Sequence, residues 1–230
     1  MNNQEPNQPG VLRVVRTKAE ARAFYNKIAQ VYDFLSERSE EPIRSLGLEQ
    51  LHIKEGERVL EIGFGTGTSL VELAKLVGSN GKVFGVDIAD QMLKVACQKL
   101  RAEHLEDRIE LTCEDAANLP YPANFMDAVF MSFTLELFDT PEIPVVLAEC
   151  RRVIKPGGRL VVVSMSKQGE EGTLLHVFEW THKHFPNFLD CRPIFARRAI
   201  EAAGFQIESA ERETMWVPVE VVLGLKDAMH

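Results

Sequence analysis

The chain has 230 residues, one large domain or one domain with an appendage at a prior of roughly 150 residues per domain. At 45% apolar and 26% charged residues it can bury a core without disulfide or metal staples. A net charge of −8 argues against nucleic acid as the main partner, because phosphate backbones need clustered positive charge.

The opening stretch, Met1 to Gly10, is rich in Asn, Gln and Pro and has no apolar h-region, so it does not read as a signal peptide. Residues 1–16 are expected as a disordered tail. From Thr17 to about Leu35, apolar residues at three- and four-residue spacing predict a helix, and a second short helix is expected over Glu41–Leu51. A buried strand follows at Arg58–Ile62, then a helix at Thr68–Val77 stopped by Gly78. The alternation continues: strand Val83–Val86, helix Asp90–His104, strands Ile109–Cys113 and Met126–Phe133, helix Pro141–Ile154. Lys155-Pro156-Gly157-Gly158 is read as a breaker before a fifth strand, Arg159–Met165. Strands alternating with helices of this length predict βαβ units and a mostly parallel sheet with helices on both faces.

After a loop at Gly169–Gly172, His176–Phe188 is rich in aromatic residues and histidine. A helix is expected over Pro193–Ala203, then two strands, Gln206–Glu213 and Trp216–Leu225, paired antiparallel at one edge. Four scattered cysteines, Cys97, Cys113, Cys150 and Cys191, form no C-x-x-C pair, and His182-x-His184 lacks a third ligand, so no metal site is expected. No run reaches the ~20 apolar residues that span a bilayer. A cytoplasmic location is expected, with transient contact at a membrane surface left open.

The sharpest motif is Glu61-Ile62-Gly63-Phe64-Gly65-Thr66-Gly67-Thr68, where a buried strand meets three alternate glycines and then a helix. Such a turn lets a ligand approach the backbone closely and offers free N–H groups at the helix start. A dinucleotide fingerprint wants a third small residue at position 68, and Thr68 breaks it. This disfavours a nicotinamide-dependent oxidoreductase. Asp87 ends the second strand, placed to accept from a ribose diol, and Asp115 follows the third at the same sheet edge.

This ordered set resembles the class I S-adenosylmethionine-dependent methyltransferases, over roughly Phe24 to Lys226. The resemblance implies a Rossmann-like α/β fold: a mostly parallel seven-stranded sheet, a C-terminal antiparallel hairpin and an N-terminal helical cap. It also implies a single domain over 17–230, with 17–52 as a lid and 166–193 as a substrate-side insert. S-adenosyl-L-methionine is the implied cofactor. Glu61, Gly63, Gly65 and Gly67 would hold its methionine part and Asp87 its ribose, with Ile88 and Met92 near the adenine. Asp115 and the Ala116 backbone N–H would read the adenine edge, and Ser132 and Phe133 would face the methyl group.

Phe24-x3-Ile28-x3-Tyr32-Asp33 is similar to the N-terminal signature of the ubiquinone/menaquinone biosynthesis C-methyltransferase group, which places Tyr32 near the methionine end. That group carries an Arg-Asn pair after the fourth strand, where this chain has Glu136-Leu137. The expected acceptor is a small hydrophobic molecule such as a prenylated quinone precursor. The alternative is an amine or phospholipid headgroup, whose positive charge Glu136 would stabilise. Glu136 and His176 are the candidate catalytic groups, since a carbon or oxygen acceptor must lose a proton.

Overall fold

The computed structural model describes residues 8, 10–14, 16–30, 32–168, 192–215 and 217–228, with backbone only for 32–39. Six helices are described: α1 (Lys18–Ile28), α2 (Tyr32–Gln50), α3 (Thr68–Leu76), α4 (Asp90–Ala102), α5 (Ile143–Val153) and α6 (Ala196–Ala202). The strands are β1 (Arg58–Ile62), β2 (Lys82–Asp87), β3 (Ile109–Cys113), β4 (Met126–Ser132), β5 (Ile154–Met165), β6 (Gln206–Thr214) and β7 (Pro218–Leu225). They form one sheet in the order β3-β2-β1-β4-β5-β7-β6. The β1–β5 neighbours pair parallel, while β7 runs antiparallel to both β5 and β6. No described helix is long and apolar enough to cross a membrane.

Strand periodicity sends alternate residues to opposite faces. Val59, Phe130, Val161 and Val163 join Leu70, Leu73, Ala96 and Leu48 in one core, beneath α2, α3 and α4. Leu60, Ile62, Val129 and Leu160 join Val146, Leu147, Ala199 and Ile200 in the other, beneath α5 and α6. The strand order reverses between β1 and β4, and there a parallel sheet leaves a crevice at its carboxyl edge.

Three boundaries differ from the sequence reading. The first predicted helix ends at Ile28, and Tyr32 opens a second that carries Pro42 in its interior. Thr17 starts α1 with a reciprocal capping box, accepting from the Glu20 N–H while the Glu20 carboxylate accepts from its own backbone. At residues 155–158, expected to break the chain, β5 instead begins at Ile154 and bulges: Met126 pairs with Ile154 and Ala128 with Arg159. Part of the segment read as tail is held by the body. Gln8 exchanges two hydrogen bonds with the Phe195 backbone, and Asp139 accepts from Arg13 and from the Val14 N–H.

Candidate active site

α2 is oriented by what it touches. Its last turn lies at the amino end of β5, where the Leu51 carbonyl accepts from Arg159. One turn earlier, Gly47 sits so close to the sheet that a Cβ would lie 2.5 Å from Val163 and 3.1 Å from Phe130. Running back toward its N-terminus, the helix therefore climbs toward the carboxyl edge and delivers Arg44 and Glu40 to a cleft over β1 and β4.

The cleft gathers most of the positions singled out in the sequence. Glu61, Gly63 and Gly65 line it from the end of β1 and the following loop, and Asp87, Ile88 and Met92 from β2 and α4. Asp115 and Ala116 line it after β3, and Ser132 and Phe133 at the end of β4. Phe133 holds φ at +50°, a left-handed conformation costly for a bulky residue and typical of functional loops.

Four expectations fare differently. Gly67 does not line the cleft; it caps α3, and a Cβ there would meet Ala96 at 2.9 Å, so its smallness serves the packing of α3 on α4. Glu136 is fully buried in a 3-10 turn (Leu135–Leu137), away from the cleft lining, and accepts from the Met165 N–H at 3.1 Å. Burial pushes its carboxyl up to about 8, reinforced by Glu40 and opposed by Arg192. Its second carboxylate oxygen, Oε2, has no hydrogen-bond partner among the described residues. The Tyr32 side chain and all of His176 lie outside the described residues, as does most of the 166–193 insert.

Three buried polar atoms belonging to cleft residues have no hydrogen-bond partner among the described residues: Glu61 Oε2, Arg44 Nε and Ser132 Oγ. Orphaned buried polar atoms are costly, and a ligand that satisfies them is the usual remedy. Burial raises the Glu61 carboxyl to about 8, against the pull of the Ser69 hydroxyl and the Arg44 charge. A buried carboxyl beside a buried guanidinium suits a zwitterionic amino-acid end, the ammonium on Glu61 and the carboxylate on Arg44. The Asp87 carboxylate accepts from the Gly65 N–H at 2.9 Å and from the Ala89 N–H at 2.8 Å, tying the glycine loop to the start of α4. Desolvation raises its carboxyl while those N–H groups oppose the rise. Asp115 takes Lys18 Nζ at 2.6 Å and the Ala117 N–H at 3.0 Å, leaving one further acceptor position on each oxygen.

Six carboxyl side chains line this cleft (Glu40, Glu61, Asp87, Glu114, Asp115 and Glu142) against three cations, Arg16, Lys18 and Arg44. An excess of carboxylates repels the pyrophosphate of a dinucleotide and attracts a donor carrying a sulfonium and an ammonium. The residues present thus fit S-adenosylmethionine. The sequence reading missed Arg44 and Glu40. Their signal was a charge placed on the core face of α2, since positions 40, 44, 47, 48 and 51 share one side of a helix.

Comparison with known proteins bears on the same point. Residues 59–158 match a family described as a methyltransferase domain. The demethylmenaquinone methyltransferase of Lactobacillus johnsonii is 33% identical over 168 residues, 71% of this chain and 68% of that protein. The ubiquinone/menaquinone biosynthesis C-methyltransferase of Teredinibacter turnerae is 36% identical over 147 residues, 62% of this chain and 58% of the relative. The demethylmenaquinone methyltransferase of Symbiobacterium thermophilum is 34% identical over 155 residues, covering 64% and 59%. The chain thus spans between 58% and 68% of these relatives' lengths.

Among solved structures, the [4+2]-cyclase SpnF superposes with a TM-score of 0.76 at 18% identity, covering 94% of this chain and 98% of that one. An S-adenosylmethionine-dependent methyltransferase of Aquifex aeolicus gives 0.59 at 24% identity, covering 79% and 88%. At such identities they show the fold. With the donor-fitting cleft at the switch point and a relative 33% identical that is matched over two thirds of its length, the chain belongs to the class I S-adenosylmethionine-dependent methyltransferases.

Proposed function

We propose that this protein transfers the methyl group of S-adenosylmethionine to a ring carbon of a small hydrophobic acceptor, a prenylated quinol precursor. The observation that carries the reading is the mixed lining of the cleft. Glu61, Arg44 and Asp87 share it with Phe133, Leu137 and Phe138. A cationic donor and an apolar ring would then lie side by side, the alignment that supplies most of the acceleration in such displacements. The names of the relatives support the acceptor class. An amine acceptor draws its case from Glu136, which is fully buried and does not line the cleft.

Under this reading the chain's own residues have distinct tasks. Glu61 and Arg44 hold the donor's amino-acid end, Asp87 its ribose hydroxyls, and Asp115 with the Ala116 N–H its base. Ile88 and Met92 cover the base, and Ser132 and Phe133 border the site of transfer. When bound, the donor supplies an electrophilic methyl group on sulfur. A prenylated acceptor resides in a bilayer, so the enzyme meets the membrane surface transiently.

The test is transfer of labelled methyl from S-adenosylmethionine by the purified protein to chemically reduced, short-chain demethylmenaquinone, alongside a cell extract partitioned between solvent and water. Label in the organic phase, matched mole for mole by S-adenosylhomocysteine, is the expected result. Label confined to the aqueous phase overturns the hydrophobic acceptor. No S-adenosylhomocysteine formed with any acceptor overturns methyl transfer itself, in a fold that a cyclase also uses.

A further inference from the structure

Methylation of a phenolic ring carbon releases one proton per turnover. Of the two groups expected to take it, Glu136 is fully buried and does not line the cleft, and His176 lies outside the described residues. We propose that Glu40, on the helix that covers the cleft, is the group that accepts this proton. The inference rests on the carbon-acceptor reading above.

The geometry comes from α2. Gly47 pins the helix onto Val163 and Phe130, and Leu51 marks the amino edge of the sheet. Glu40 stands about two turns further back, roughly 10 Å along the axis. That brings it past the carboxyl ends of β4 and β5 into the same cleft as Phe133, Thr134, Leu137 and Phe138. Among the described side chains it is the acidic residue that α2 contributes to the cleft lining, and apolar side chains from the β4 exit share that lining with it.

Of the other cleft carboxyl groups, Glu114 is exposed to solvent, and four have partners or a place at the donor end. Asp87 and Asp115 accept from backbone N–H groups, Glu142 pairs with Lys18 at 2.8 Å, and Glu61 shares the buried donor end with Arg44. The charged group acting on Glu40 comes from its own helix. Arg44 draws its carboxyl down while burial pushes it up to about 7. Glu136, on which Glu40 acts, is raised too, with Arg192 opposing. Glu40 is thereby poised to gain and lose a proton near neutrality.

The step balances as follows. The ring hydroxyl proton passes to the Glu40 carboxylate. The phenolate's electron pair then forms the new carbon–carbon bond as the sulfur–methyl bond breaks, its pair remaining on sulfur as a neutral thioether. The proton on the methylated carbon moves to the ring oxygen as aromaticity returns. One proton is left on Glu40 and exchanges with solvent, and no oxidant or reductant is consumed.

The experiment compares the full-length protein with Glu40→Gln and Glu40→Asp, using reduced short-chain demethylmenaquinone. Glu40→Gln is expected to lower kcat at pH 7.5 at least a hundredfold and to erase the acidic limb of the pH profile, with donor affinity by calorimetry within about twofold. Glu40→Asp should restore part of the rate and keep the limb. Carbon-13 carboxyl NMR of the free protein should find Glu40 titrating near pH 7. Wild-type rate or an unchanged acidic limb in Glu40→Gln overturns the assignment, as does a carboxyl that is fully ionised by pH 5. If Glu40→Gln does not fold, Glu40→Asp and the titration decide. If the wild-type protein ignores the quinol altogether, the acceptor reading fails instead, and the variants are compared on the acceptor recovered from labelled extract.

Discussion

Glu61→Gln is expected to weaken S-adenosylmethionine binding about tenfold to a hundredfold at pH 7.5 and to flatten its dependence on pH. A charge-assisted hydrogen bond to the donor's ammonium is worth roughly 1.5–3 kcal/mol, which sets that range. The pH dependence follows from the raised carboxyl. With its pKa near 8, Glu61 is mostly protonated at pH 6 to 7 in the free protein, and an arriving ammonium favours the carboxylate. Binding therefore expels a proton, and wild-type affinity should climb with pH, by up to about tenfold per unit, until it levels near pH 8. Calorimetry in two buffers of different ionisation heat checks the released proton directly. Arg44→Leu should weaken binding comparably while keeping the slope, because it removes the partner of the donor's carboxylate instead. A slope that persists in Glu61→Gln would assign the proton to another group. In the free protein the same linkage runs against stability: a carboxyl raised on folding stabilises fully below its unfolded value of 4.5 and loses that contribution as pH rises through 8.

Gly63→Ala should lower the melting temperature by about 5–15 °C, whereas Gly65→Ala should cost only a few degrees. Both residues adopt positive φ, +72° and +51°, which costs an alanine roughly 1–2 kcal/mol. The difference is space. A Cβ on Gly63 would lie 2.3 Å from the Thr134 hydroxyl, while one on Gly65 meets nothing within 4 Å. Thr134 is not free to swing aside, since its hydroxyl donates to the Ser132 carbonyl at 2.9 Å. Overpacking adds about 1–3 kcal/mol, at roughly 2–4 °C per kcal/mol for a chain this size. Thermal unfolding of the two variants side by side separates the backbone penalty from the clash.

Much of the architecture was written in local pattern. Five apolar strands divided by amphipathic helices left little choice but a parallel sheet, and the glycines and two aspartates marked its ligand edge. Where the reading failed, distant partners had decided. The sequence reading leaves residues 36–40 between two helices, yet α2 runs straight through them, its second half fixed by Ile43, Leu48 and Leu51 buried in the core. Gly157 and Gly158 look like a stop, yet residues 155–158 form a bulge because Gly157 and Gly158 exchange hydrogen bonds with Lys226, far along the chain. Glu136 looked like a site residue from its place after β4. In a turn of three residues each step rotates a side chain by about 120°, so neighbours diverge: Thr134 and Leu137 reach the cleft and Glu136 points into the protein. Arg44 and Glu40 went unnoticed because a charge on a helix is ordinarily solvated, and only the packing of Gly47 shows which face of α2 is covered.

The attachment of α1 bears on how the cleft is entered. None of its residues is fully buried, and its apolar footing is a small cluster in which Tyr25 and Ile28 pack against Ala29, Ala89 and Met92. The rest is ionic and polar: Lys18 to Asp115 and Glu142, Arg22 and Asn26 to Asp90. Exposed pairs of this kind are worth under about 1 kcal/mol each and fade as salt shortens the screening length. The hold on α1 is therefore expected to loosen as ionic strength rises. Amide exchange along α1 should quicken between low salt and 0.5 M, while the second half of α2, anchored by Leu48 and Leu51, keeps its pace. The traffic of donor and product would then answer to the ionic strength of the medium, through a helix that carries none of the chemistry.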